Sequence, residues 1–119
     1  MEKGGLIFKV YGVEEKWKLG IFEPNPGNKF IVIEMEVKNI YPKEKTVSAG
    51  FMYVVDKEGR RYSFSLASMG ITGYFPGSTN LAPGESVRRY VAFEIPEAST
   101  AKYFIYEIFG ERYASIALQ

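Results

Sequence analysis

Apolar and polar residues alternate most cleanly between Lys29 and Asn39. Ile31, Ile33, Met35 and Val37 fall on one side of an extended chain, and Glu34, Glu36 and Lys38 on the other. A period of two puts neighbouring side chains on opposite faces, so this stretch predicts a half-buried antiparallel strand. Upstream, Gly5 to Val13 reads as a strand and Lys16 to Phe22 as a second, short one, closed by the breaker cluster Glu23-Pro24-Asn25-Pro26-Gly27-Asn28. Downstream, Pro42 and Lys43-Glu44-Lys45 form a turn, after which Thr46 to Val55 runs apolar through Phe51, Met52, Tyr53, Val54 and Val55, a pattern that suits a strand covered on both faces. Asp56-Lys57-Glu58-Gly59 has Asp first and Gly fourth, as a type I turn closed by a residue tolerant of positive φ requires. It links a hairpin to Arg60 through Ser65. Pro83-Gly84 suits the centre of a type II turn and launches Ser86 to Ile95, with Val87, Val91, Phe93 and Ile95 on one face and Pro96 as its end. Lys102 to Phe109 and Arg112 to Leu118 flank Gly110-Glu111 as a terminal hairpin, with Phe104, Tyr106 and Ile108 set against Ile116 and Leu118.

Seven to nine short strands in 119 residues, with no amphipathic helical period, predict an all-β chain. The expected architecture is an immunoglobulin-like antiparallel β-sandwich of two sheets, one domain over residues 1–119, with a closed small barrel as the alternative. Nine Phe, nine Tyr and Trp17, spread among Val and Ile, agree with strands rather than helices. Arg60-Arg61-Tyr62 and Arg88-Arg89-Tyr90 recur as tripeptides, too short to mean duplication.

Composition removes most chemistries. With no Cys and no His, the chain lacks disulfides, thiolate nucleophiles, imidazole bases and the usual zinc, copper and haem ligand sets. Asp56 is the only aspartate beside thirteen glutamates, which leaves no Asp-rich calcium loop. The chain therefore reads as non-enzymatic, with no catalytic residue, no cofactor and no metal. A net charge of +1 supplies no field toward a phosphate backbone or an anionic leaflet. The Arg-Arg-Tyr tripeptides mix basic and aromatic residues as single-stranded nucleic-acid platforms do, but adjacent strand residues point to opposite faces and leave one Arg per face. The expectation is no nucleic acid, and no membrane insertion by this chain, since no apolar run is long enough to span a bilayer. A single Gln, no Cys and charges supplied mostly by Lys and Glu point to a thermostable chain.

Ala67 to Ala82 is the longest stretch without a period, and long ordered loops of this kind carry function or local structure. Met69, Ile71, Tyr74 and Phe75 within it form the candidate partner-binding group, as apolar and aromatic loop tips at the end of a sandwich do. The competing reading folds the loop over the open end of the sandwich, so that these side chains cap the core. Gly70, Gly73 and Gly77 match neither phosphate-cradling spacing. Asn39, Asp56 and Glu58 read as turn residues that satisfy local backbone, and Trp17 as a core plug in its short strand.

Phe30 to Asn39, Asp56 to Tyr62, Leu81-Ala82-Pro83-Gly84-Glu85-Ser86 and Val91 to Pro96 together resemble the telokin-like, immunoprotective-antigen-like extracellular domains, a prokaryotic family of unassigned function found in envelope lipoproteins. The likeness covers residues 29 to 109 and rests on structural motifs: an apolar strand ending in Asn, an acidic-Gly turn, and a Pro-Gly-Glu turn before a strand ending in Pro. It implies a β-sandwich that binds another protein as an envelope-associated or adhesion module. The bacterial intracellular proteinase inhibitor family is similar in the same strand and turn order, and supplies the alternative function. Met1-Glu2-Lys3-Gly4-Gly5 is followed by no signal-type apolar run, so the expected location is extracellular or cell envelope if a leader was removed, and cytoplasmic otherwise. Engagement through an end loop or an exposed strand edge is the expected mode.

Overall fold

A computed structural model describes residues 3–118. Nine strands follow one another: β1 (Leu6–Lys16), β2 (Asn28–Asn39), β3 (Lys45–Ser48), β4 (Met52–Asp56), β5 (Arg61–Ser63), β6 (Ser78–Leu81), β7 (Ser86–Pro96), β8 (Ala101–Ile108) and β9 (Glu111–Ala117). They pair antiparallel into a three-stranded sheet β1-β2-β7, a four-stranded sheet β5-β4-β8-β9 and a ribbon β3-β6. This is a sandwich and not a closed barrel, because β1 and β9 do not pair.

The alternating face of β2 explains the assembly. Ile31, Ile33, Met35 and Val37 point inward beside Phe93 and Val91 of β7, and meet Met52, Val54, Phe104 and Tyr106 from the other sheet. Aromatic edges lock the two layers, with Phe8 4.8 Å from Tyr106 and Phe93 packed edge-on 6.5 Å from Phe104. The Tyr106 hydroxyl, fully buried, accepts the Ser48 amide at 3.0 Å and ties β8 to the ribbon. Val47 and Leu81 of the ribbon complete the same core.

Four local readings change. β1 extends to Lys16, and Tyr11 is the extra residue of a bulge between the pairs Val10↔Met35 and Gly12↔Glu34, which keeps Val13 opposite the inward Ile33. Lys16 to Phe22 is no strand: Leu19 and Phe22 exchange both backbone hydrogen bonds (2.9 and 2.8 Å) across a tight reversal. Thr46 to Val55 is broken in two, because Ser48 Oγ accepts the Gly50 amide and starts a 3-10 turn over Ala49–Phe51. The chain thereby leaves the ribbon and enters the four-stranded sheet. The terminal hairpin turns at Phe109-Gly110, one residue earlier than expected, with φ of +48° and +84°, as a two-residue hairpin loop of primed type demands. The Pro83-Gly84 turn forms as expected, with Gly84 at φ +84° and the Glu85 amide bonded to the Ala82 carbonyl.

A second apolar cluster lies on the outer face of the three-stranded sheet. Phe30, Val32 and Ala92 are buried there beneath Leu19 and Ala67, with Phe22, Ile71 and Tyr90 packed around them. The cover consists of the β1–β2 connection and a 3-10 turn over Leu66–Gly70. The two covering segments touch through backbone: a Cβ added at Gly70 would lie 2.3 Å from the Leu19 carbonyl oxygen. Ser68, almost fully buried, pins the turn to β7 by accepting the Ala92 amide at 2.8 Å and donating to the Ser65 carbonyl at 2.7 Å.

Candidate functional site

The segment after β5 runs back along the free edge of β7. Ser65 donates its amide to Ala92 at 2.7 Å, Phe75 donates to Tyr90 at 2.7 Å, and Tyr90 donates to Gly73 at 3.1 Å. Closing that edge separates the four candidate residues. Phe75 is 3% exposed and belongs to the main core, so it caps the sandwich as the competing reading held. Ile71 packs on the second cluster. Met69 and Tyr74 stay on the surface, at 58% and 37% exposure, and Leu66 joins them at 69%. These three line a shallow groove of about 210 Å³ whose other walls include Phe64, Phe75 and Pro76. Ile21, 89% exposed, follows the Gly20 that abuts Gly70, directly after Met69. The groove holds no acid, base or nucleophile beyond hydroxyls. Its lining is mainly apolar and aromatic.

The turn residues act locally. Asn39 is fully buried, donates to the Lys43 and Leu81 carbonyls (2.9 and 2.8 Å) and accepts the Tyr41 amide. Asp56 accepts the amides of Glu58 (3.0 Å) and Arg60 (2.8 Å) and the Tyr62 hydroxyl (3.0 Å). Burial pushes the Asp56 carboxyl up, but the Arg60 amide, the Tyr62 hydroxyl and the Glu58 amide outweigh it and hold the group below its ordinary value. Glu58 faces solvent within 4.0 Å of Arg60. Among the described residues no three His, Cys, Asp or Glu converge as metal ligands would. Trp17 is a correction: it lies 52% exposed, its indole N–H donating to Glu97 at 3.2 Å, rather than plugging the core. β1 ends one residue before it, so no sheet face is there to bury the ring.

The arginines of the two tripeptides go to separate faces. Arg88 donates to Glu34 at 2.7 Å and lies 3.7 Å over the Tyr11 ring, whose hydroxyl bonds Glu36. Arg61 grips Glu107 through two nitrogens (3.0 and 3.4 Å) while lying 4.9 Å over Tyr53. Arg112 donates to Glu107 as well, through Nε at 3.1 Å. The Arg61 hydrogen bond, helped by Arg112, keeps the Glu107 carboxyl below its ordinary value against the opposing effect of burial.

Two larger concavities have no counterpart in the sequence reading. One of about 500 Å³ runs between the unpaired edges of β1 and β9 and is lined mainly by apolar residues such as Val10, Val13, Ile31, Ile116 and Leu118. Gly12 inside a strand pattern is the one sequence signal of the bulge on its rim. The other, about 430 Å³, lies on the outer face of the four-stranded sheet among Val55, Arg61, Tyr103, Ile105, Arg112 and Ser115. Among the described residues, no helix is long and apolar enough to cross a membrane.

Compared with known proteins, the chain matches the family model described as Domain of unknown function (DUF4352) over residues 1–114. No curated protein matches it. Among solved structures it is similar to MPT63, a secreted protein from Mycobacterium tuberculosis, with 15% identity, a TM-score of 0.72, and coverage of 94% of this chain and 82% of that one. It is also similar to a candidate lipoprotein, ycdA, from Bacillus subtilis (12% identity, TM-score 0.71, 98% of this chain and 36% of that one). A β-sandwich protein from Clostridium difficile matches at 12% identity and TM-score 0.56, over 100% of this chain and 89% of that one. At these identities the likeness shows the β-sandwich fold alone.

Proposed function

The chain belongs to the DUF4352 family of domains of unknown function, and from that premise we propose that it is a non-enzymatic protein-binding module of a secreted or envelope-associated protein. One observation carries the reading: Leu66, Met69 and Tyr74 present exposed apolar surface around one groove. Burying each aliphatic side chain under a partner is worth about 1.5–3 kcal/mol. The platform beneath is rigid, because Ser65 and Ser68 cap and pin the turn and the Gly20–Gly70 contact leaves no slack. A preordered surface loses little entropy on binding. The fold shared with a secreted protein and a candidate lipoprotein, and the resemblance to telokin-like, immunoprotective-antigen-like extracellular domains, support the extracellular or envelope setting.

The test is partner binding by the folded chain with Leu66→Ser and Met69→Ser together, against Phe109→Ser, an exposed apolar position in the β8–β9 turn of the opposite sheet. Loss of binding only in the former supports the reading, and unchanged binding removes the patch assignment. The proteinase inhibitor reading asks for an extended loop presented to a protease. The long segment after β5 instead carries a 3-10 turn over Leu66–Gly70 and is tied to β7 by backbone hydrogen bonds, which favours the binding module. Inhibition of a serine protease by the purified chain at about micromolar concentration would reverse that preference.

A further inference from the structure

The outer face of the four-stranded sheet carries a second arrangement, independent of the apolar patch. Cross-strand register places Arg61 beside Val55, Val55 beside Tyr103, Ile105 beside Ser115 and Glu107 beside Arg112, so residues from four strands meet on one surface. Arg61 lies across the Tyr53 ring to reach Glu107, which leaves a cavity with Val55 and Ile105 in its lining, Tyr103 at its side and the arginines and Ser115 around it.

Charge and hydrogen bonding are both incomplete there. Two guanidinium groups share one carboxylate, so this group of three side chains keeps one positive charge in excess. Arg61 already bonds both Glu107 oxygens, whereas Arg112 is bound through Nε alone, leaving both terminal nitrogens of a 47% exposed side chain for another acceptor. The hydroxyls of Tyr103 and Ser115 have no hydrogen-bond partner among the described residues. A guanidinium fork selects a carboxylate geometrically, free hydroxyls suit a polyhydroxylated ligand, and an aromatic wall with an apolar lining receives the C–H face of a pyranose. A volume of about 430 Å³ suits one or two sugar rings.

We propose that this cavity binds a carboxylate-bearing sugar of an acidic glycan, with the carboxylate on Arg112, the ring against Tyr103 and the sugar hydroxyls on Tyr103 and Ser115. A peptide carboxylate would use Arg112 but leave both exposed hydroxyls to solvent. The site rests on different residues from the protein-binding patch, so either assignment fails without the other.

The test is amide NMR of the full chain titrated with trigalacturonate and with sialyllactose, two sources of the same chemistry, beside neutral galactose oligomers, acetate and N-acetylglutamate. Saturable shifts confined to Val55, Tyr103, Arg112 and Ser115 are expected with one or both acidic sugars, weakening as salt is raised. Arg112→Gln and Tyr103→Ala should each lower affinity about tenfold, Arg112→Lys should recover part of it by restoring charge without the fork, and Arg89→Gln on the other sheet should change nothing. The proposal is overturned by absence of saturable shifts up to about 10 mM ligand, or by equal binding of the neutral sugars, acetate or N-acetylglutamate. Unaltered affinity in a folded Arg112→Gln variant also overturns it.

Discussion

The two sheets of the sandwich expose opposite kinds of outer face. On the three-stranded sheet, Phe30, Val32 and Ala92 are roofed by the β1–β2 connection and the Leu66–Gly70 turn, and the roof's own apolar residues, Leu66, Met69 and Ile21, are what solvent meets. On the four-stranded sheet no described segment folds over, and Tyr53, Tyr103, Arg61, Glu107 and Arg112 cover the strands with amphipathic side chains whose stems shield Ile105. The difference teaches that a sheet face can be finished by another layer of chain or by long polar side chains. The first displaces the apolar surface outward and creates a protein-like contact area. The second creates a charged one.

Substitutions under the roof should cost most. Phe30→Ala, at a site 1% exposed, is expected to lower stability by about 3–5 kcal/mol in chemical denaturation, because it opens a cavity that the roof cannot fill. Gly70→Ala should cost about 1–3 kcal/mol, since its Cβ would collide with the Leu19 carbonyl and lift one covering segment from the other. On the uncovered sheet, the pH dependence of stability tests the buried turn carboxylate Asp56 together with Glu107 of the polar finish. Asp56 and Glu107 are held below their ordinary values of 3.8 and 4.5, so the stability they lend is complete above those values and is lost as pH falls through the lower folded ones. Urea midpoints should therefore drop as pH is lowered from about 5 to about 2, and Asp56→Asn should flatten part of that drop. The smallest effect is expected at the patch itself, where Leu66→Ser and Met69→Ser should each leave stability within about 0.5 kcal/mol while abolishing partner binding.

Much of this frame was legible from the chain. The alternation over Lys29 to Asn39, the Asp56 turn and the Pro83-Gly84 turn are local signals, and local geometry follows them. The roof was not legible, because the apolar run Phe30-Ile31-Val32-Ile33 that marks a strand buried on both faces opens into clean alternation further on. Lys16 to Phe22 likewise reads as a strand until its role as a covering turn is seen, which hides Ile21 and misplaces Trp17. Met69 and Tyr74 were readable as loop tips, but Phe75, one residue on, is drawn into the core by its amide's bond to β7. Leu66 lay just outside the stretch that lacks a period. The Arg61, Glu107 and Arg112 cluster depends on which strands become neighbours, and residues 46 positions apart in sequence give no local sign of that.

The protein-binding surface is the central claim, and site-specific photo-crosslinking in the native host tests it most directly. A photoreactive residue at Met69, on the roof, is compared with one at Ser63, on the uncovered sheet. A discrete protein adduct from position 69, abolished by Leu66→Ser and absent from position 63, is the predicted result. No adduct from position 69, or the same adduct from both positions, would contradict it.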